Sequence, residues 1–154
     1  MVEYAFLMVF AMLPLTLGIV QLSLVLISKA VVNHAAFSAT RAQLVGEDPL
    51  LAARIVCAPV AGTKAPSPGS PIALPGWGNL PRSEFSVAKT TTRVLEDDAD
   101  SVTVEVTHDF QLILPVVDLL FRSGTDAGGT SILRLVEKCT LPRPWTKDAD
   151  LGLP

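Results

Sequence analysis

An uncharged run of 25 residues, from Tyr4 to Ser28, constrains this chain more than any other feature of its sequence. As an α-helix the run extends about 37 Å, which exceeds the roughly 30 Å thickness of a bilayer hydrocarbon core. A cleavable secretory signal would have a basic start, a shorter apolar region and a small-x-small cleavage site. Here the run follows the acidic Glu3. The pattern therefore predicts a retained membrane-spanning helix over residues 4–28.

The helical pattern continues past the uncharged run to Gly46, a natural helix stop. Residues 29–45 contain neither glycine nor proline. Within residues 1–46 we expect one helix of about 43 residues and roughly 65 Å, whose second half packs on its own domain or on neighbouring copies. Pro14 removes a backbone donor in mid-span and is expected to kink or locally melt the helix. One face of the second half carries mostly small residues at spacings of three and four: Val32, Ala35, Ala36, Ala39, Ala42 and Gln43.

Residues 47–154 are predicted to form a small α+β domain. Asp48-Pro49 is a helix-start signature and opens a short helix at about 49–57. Residues 58–83 hold six prolines and four glycines, which favours a long irregular loop. Within this loop we expect Trp77 to pack the loop onto the domain, with surface recognition as the alternative.

Three antiparallel strands are predicted near residues 85–95, 101–114 and 131–140. The clearest signal is the alternation of Val102, Val104 and Val106 with polar residues. The acidic run 96–100 reads as an exposed hairpin turn, and residues 115–122 as a short helix after the second strand. The fold class is therefore α+β, with the apolar face of the sheet against the second half of the long helix.

Charge and residue pattern argue against several classes of function. A net charge of −3 without a stripe of basic residues gives no indication of a surface that binds nucleic acid. The two histidines are His34 and His108, and His108 precedes Asp109 in a predicted strand, where neighbouring side chains point to opposite faces. No nucleophile motif accompanies them, so we expect no enzymatic activity. The acidic run 96–100 lacks the ligand spacing of a calcium loop, and no cofactor is expected.

The order of these features resembles the TadE-like pseudopilins of the tight-adherence (Flp) pilus, which are similar to type IV pilins. In that family the apolar helix starts with Glu-Phe or Glu-Tyr, matched here by Glu3-Tyr4. A Gly-Ile-[Ile/Val]-[Glu/Gln] block follows, matched by Gly18-Ile19-Val20-Gln21. The segments VTVEVTHDFQLILPVVDLLF and ILRLVEKCTLPRPW resemble the paired strands of the family. The resemblance covers most of the chain except the proline-rich loop.

Two features depart from the family pattern. The glutamate of the family is the fifth residue of the mature chain and follows a processing site, whereas here it is Glu3. Pro14 also lies later than the proline of the family. These departures leave the mature N-terminus and the position of any helix break open.

The resemblance implies a structural pilin or pseudopilin that forms a filament by packing of N-terminal helices. Implied partners are copies of itself, other pilins, a prepilin peptidase and the Tad assembly machinery. The chain would cross the inner membrane once, with its domain outside the cytoplasm, and later enter the extracellular pilus. The positive-inside rule, applied to Lys29 and Arg41, would keep the domain cytoplasmic unless a basic leader preceded Met1.

Two other functions remain open at this point. One is a single-pass membrane adaptor of a pilus or secretion machine that does not polymerise. The other is a binding module behind an uncleaved anchor, which predicts a soluble domain once the first 45 residues are removed.

The resemblance also implies roles for individual residues. Glu3 would pair with the N-terminal amine of a neighbouring subunit, or would simply lie among lipid head groups. In an oxidising periplasm Cys57 and Cys139 would form a disulfide worth around 4 kcal/mol, or would remain two buried thiols. Small side chains would allow neighbouring helices to approach closely, namely those of Ala35, Ala39 and Ala42.

Overall fold

The computed structural model describes residues 2–113, 123–125 and 129–143. The chain begins with one long helix, made of α1 (Val2–Leu7), a π-helical segment (Met8–Met12) and α2 (Leu13–Val45). Pro14 lies in the first turn of α2, directly after the π-helical segment. Because proline has no amide hydrogen and its ring crowds the carbonyl four residues earlier, a wider turn at this point relieves the clash. The chain is helical on both sides of this irregularity.

The end of the long helix and the start of the next one follow from local capping. Gly46 has a φ of +82°, which glycine adopts without strain, and the amide of Glu47 donates to the Ala42 carbonyl at 2.9 Å. Asp48 then caps α3 (Pro49–Cys57) by accepting a hydrogen bond from the Leu50 amide at 2.9 Å. A 3₁₀ turn, Ala58–Val60, completes this region.

The main sheet is antiparallel and contains β3 (Thr90–Asp97), β4 (Ser101–Gln111), β5 (Gly124–Thr125) and β6 (Ser131–Pro142). Their order across the sheet is β3-β4-β6-β5. A separate two-stranded hairpin pairs β1 (Ala73–Leu74) with β2 (Gly78–Asn79). The predicted α+β class, with a long apolar helix followed by an antiparallel sheet, is confirmed.

The first predicted strand begins later than expected. Ser83–Lys89 forms a short helix, α4, and β3 starts at Thr90, so the predicted strand at 85–95 is wrong for its first five residues. Ser83 and Ser86 are both buried, and their hydroxyls donate to the carbonyls of Leu80 and Arg54 at 2.7 and 2.6 Å. Residues three apart share a helix face but lie on opposite faces of a strand, so these two bonds require the helix.

The other two predicted strands correspond to β4 and β6. β4 covers Ser101–Gln111 of the predicted 101–114, and β6 extends the predicted 131–140 to Pro142. The short helix predicted at 115–122 lies outside the described residues. The two-residue strand β5 was not predicted, because a pair of residues carries no alternation to detect.

The hydrophobic core lies between α2, α3 and one face of the sheet. The face of small residues on α2 is fully buried at Val32, Ala35, Ala36 and Ala39. Val102, Val104 and Val106 of β4 are also fully buried and belong to the same cluster. Small side chains on the helix let its backbone approach the sheet closely. The second half of the long helix is therefore a core element of its own domain.

Candidate functional site

The first half of the long helix carries an exposed apolar surface. Among residues 3–27 only Gln21 is buried, and only 6% of the most apolar 18-residue window is covered by the rest of the chain. This helix is long and apolar enough to cross a membrane. Its large exposed apolar side chains are Tyr4, Phe6, Leu7, Met8, Val9, Phe10, Met12, Leu13, Leu15, Ile19, Val20, Leu22, Leu26 and Ile27. An exposed apolar surface of this extent marks an interaction with lipid or with other protein chains.

Glu3 lies at the outer end of this surface, exposed and far from the domain. Its carboxylate forms no ion pair with any residue that the structure describes. The first charged residue after it is Lys29, whose ammonium lies 3.6 Å from the Glu137 carboxylate in β6. Glu3 is therefore a free charge at the exposed end of the helix, whereas Lys29 pairs with the domain.

Gln21 is a buried polar residue within the apolar half of the helix. Its side chain is fully buried, and neither Oε1 nor Nε2 has a hydrogen-bond partner in the described part of the chain. Leaving a buried amide unpaired costs about 1–3 kcal/mol. The sequence marked Gln21 only as a member of the Gly18–Gln21 block, because burial of a single polar residue in an apolar run has no periodic signal.

Ala35 and Ala39 contact the domain of their own chain. Both are fully buried in the core with the inward-facing residues of β4, whereas Ala42 is half-buried nearer the helix end. The structure assigns Ala35 and Ala39 to the intramolecular core, in place of the contact between copies that the sequence suggested. Their small size allows α2 to pack closely in this core, and their burial leaves them unavailable to a neighbouring helix.

Cys57 and Cys139 are free thiols, so the expected disulfide is absent. The Cys57 thiol hydrogen-bonds with the side chain of Thr90, which lies opposite His108 in the sheet. Cys139 lies opposite Val104. Thr90, which Cys57 contacts, and Cys139 are therefore separated by four residues along the strands, about 14 Å, and by two strand spacings across the sheet, about 10 Å. A disulfide needs Cα atoms within about 7 Å, so the fold keeps the two sulfurs apart.

A chain of buried hydrogen bonds lies beneath α3 and α4. The Thr90 hydroxyl is 2.8 Å from His108 Nδ1 and 3.3 Å from the Ser86 hydroxyl. Burial lowers the pKa of His108 to about 4, because it penalises the charged imidazolium; the Val60 backbone opposes this shift, and Lys89 adds to it. Among the residues that the structure describes, His108 Nε2 has no well-formed hydrogen bond. His108, Thr90 and Ser86 are all fully buried, so this cluster is a polar part of the core.

Trp77 is 88% exposed, so the expectation that it packs the loop onto the domain is wrong. It lies in the turn of the β1–β2 hairpin, between Gly76 and Gly78, whose φ angles are +79° and +78°. The hairpin base is tied to α4, because the Ile72 amide donates to the Ser83 hydroxyl at 2.9 Å. These contacts hold the loop without the indole, which points outward.

The described residues contain no group of three or more His, Cys, Asp or Glu side chains that could hold a metal ion. Protein-family models, curated protein sequences and solved structures give no match to this chain. The exposed helix with Glu3 at its end is accordingly the candidate functional site, argued from its own geometry.

Proposed function

We propose that the protein is a structural pilin or pseudopilin of a Tad-type, type IV-like pilus. The observation that carries this proposal is the exposed apolar half of a helix whose other half is built into the domain. In the inner membrane, lipid covers the exposed half. In a filament, the corresponding helices of other copies cover it.

Glu3 gives the assembly its register. A carboxylate costs about 2.5–3.5 kcal/mol at the centre of a membrane helix and less near its end. Pairing with the N-terminal amine of a neighbouring subunit removes this cost as the helix leaves the bilayer. The resemblance to the TadE-like family supplies the remaining partners: a prepilin peptidase, the Tad assembly machinery and other pilins. The domain then lies outside the cytoplasm and finally in the extracellular pilus.

The test is to recover the chain from material sheared off cells that express the complete Tad machinery. Intact mass and N-terminal peptide analysis should show a processed terminus at or just before Met1. Glu3→Gln should lower the sheared yield by about tenfold, the effect of roughly 1.4 kcal/mol per subunit contact, while the amount in the membrane stays unchanged.

Glu47→Gln is the matched control, since Glu47 is an exposed carboxylate just beyond the other end of the long helix. It should leave the sheared yield unchanged. An unprocessed chain that stays in the membrane fraction despite the complete machinery would overturn polymerisation. In that case the single-pass membrane adaptor becomes the better description.

A further inference from the structure

A groove lies where the exposed half of the long helix meets the base of the domain. Its volume is about 380 Å³, within the range of about 300–1,000 Å³ typical of small-molecule sites. One wall is the last turn of the uncharged run, with Leu24 and Ile27. The rest of the lining comes from the turn after α3, from Phe110 near the end of β4 and from Ile113 just after it. The groove is thus mostly apolar, with the polar side chains of Ser28, Thr63 and Gln111 also in its lining.

The groove is continuous with the surface that a membrane would cover. Ile27 is 58% exposed and Ile113 is 66% exposed, and both line the groove. Lys29, the first charged residue after the run, follows two positions after Ile27. The groove therefore opens at the depth where hydrocarbon gives way to head groups, and an apolar molecule can enter it from the bilayer.

Arg82 adds a single positive charge to this groove. Its main chain is held at a φ of +62° at the start of α4, and its guanidinium donates to the Pro59 carbonyl at 3.4 Å. Within residues 2–113, 123–125 and 129–143, no carboxylate forms an ion pair with Arg82. The remaining donors of an exposed guanidinium suit the oxygens of a phosphate group.

We propose that this groove binds one anionic phospholipid. An acyl chain lies against Leu24, Ile27 and Phe110, and the phosphate contacts Arg82. A free phosphate would leave the apolar walls uncovered, and a neutral detergent would leave the guanidinium unpaired. The proposal rests on the membrane anchoring in the proposed function and does not depend on polymerisation.

The test measures lipid retention by the full-length chain in detergent, by native mass spectrometry during titration with phosphatidylglycerol or phosphatidylcholine of the same acyl chains. We expect one phosphatidylglycerol per chain, bound about fivefold more tightly than phosphatidylcholine, as for one basic residue at an anionic surface. Arg82→Gln should abolish the preference. Thr63→Trp, which places a large side chain in the groove, should weaken the binding of both lipids by about tenfold or more.

Arg41→Gln is the matched control, because Arg41 is an exposed arginine on α2 that lies 13 residues beyond Ser28. It should leave the preference intact. Circular dichroism and denaturant midpoints must match the wild type for each variant to count. Equal retention of the two lipids by the wild type, or no effect of Arg82→Gln and Thr63→Trp, overturns the proposal. Displacement of the lipid by excess inorganic phosphate would assign the site to free phosphate and overturn it as well.

The same preparations separate this proposal from the proposed function. Extraction of the wild-type chain from cell membranes by alkaline wash would show that the helix is not an anchor, and both proposals would fail. A chain that resists the wash but shows no lipid preference would overturn the lipid site alone.

Discussion

The imidazole of His108 is kept neutral in the core by the cost of burying its charge. Nδ1 is 2.8 Å from the Thr90 hydroxyl, and the whole side chain is inaccessible to solvent. The pKa of the buried group is about 4, compared with 6.5 for the free side chain. The unfolded chain therefore takes up a proton at a pH where the folded chain does not, and folding becomes coupled to pH.

The free energy of unfolding should fall as the pH drops from about 6.5 to about 4. Above this window His108 is neutral in both the folded and the unfolded chain, and the free energy of unfolding is not reduced by its protonation. Below it the loss is roughly 3 kcal/mol, from about 1.36 kcal/mol per pH unit over the window. Denaturant unfolding of the full chain in detergent at a series of pH values measures this slope. His108→Gln should flatten the slope, whereas exposed His34→Gln should not; equal slopes in both variants would contradict the assignment.

Cys57 should behave as an inert thiol in the folded protein. Burial raises its pKa from 9.0 to about 11, which lowers the thiolate fraction at pH 8 by roughly 100-fold, and solvent cannot reach it. Alkylation at pH 8, followed by peptide mass spectrometry, should modify half-buried Cys139 first and Cys57 only after unfolding. Equal rates at the two cysteines, or a disulfide in the untreated protein, would contradict the packing of α3.

At the scale of the single element, the long helix has two halves with different tasks. The first half exposes apolar side chains, and the second half supplies the domain with a tightly packed face. Ala35 and Ala39 belong to the buried cluster that α2 shares with α3 and the sheet. Larger side chains at these positions would force the helix away from its neighbours in this core.

Ala35→Leu and Ala39→Leu should each lower the free energy of unfolding by about 1–3 kcal/mol, the typical cost of overpacking a core. Ala30→Leu is the control, because Ala30 is exposed on the same helix. Denaturant unfolding in detergent measures the difference. If all three variants were equally stable, Ala35 and Ala39 would not be core residues, and packing between copies would again be the better explanation.

The sequence predicted the elements that are marked by a regular spacing of apolar residues or by capping residues at helix ends. The valines of β4 alternate, and the same alternation continues through His108 to Phe110 and Leu112, so it could also have revealed the buried histidine. The capping signals at Gly46 and Asp48 mark helix ends correctly. The helix α4 escaped detection because it has seven residues and its N-cap, Arg82, makes no side-chain capping bond.

The candidate site was predictable only in part. Absence of charge from Tyr4 to Ser28 suffices to identify a long apolar helix, since this property depends on composition alone. The partners of Ala35, Cys57 and Trp77 depend on how the helices and the sheet meet. No local pattern encodes those tertiary contacts, and for these three residues the first-choice interpretation of the sequence differs from the structure.

At the scale of the whole molecule, the domain includes the second half of the long helix. Removal of residues 1–45 would uncover the apolar face of β4 that Val32, Ala35, Ala36 and Ala39 now cover. The expectation that a domain without its first 45 residues folds alone is therefore revised. The boundary that matters for folding lies near Ser28, inside the helix.

A chain of residues 29–154 should fold as a soluble domain, whereas residues 46–154 should not. The first fragment keeps the α2 face that completes the core, and the second leaves that core open to water. Circular dichroism and cooperative thermal unfolding distinguish the two. Cooperative unfolding of the shorter fragment, with the same midpoint as the longer one, would show that α2 adds nothing to the domain.

The π-helical segment Met8–Met12 has a geometric consequence for the whole chain. Eighteen residues make five full turns of an α-helix, so uninterrupted winding would place Glu3 and Gln21 on one azimuth. One π turn takes up about one extra residue, which rotates everything before it by about 100° relative to everything after it. The π turn beside Pro14 therefore fixes the direction, around the helix axis, in which the Glu3 side chain projects relative to the domain.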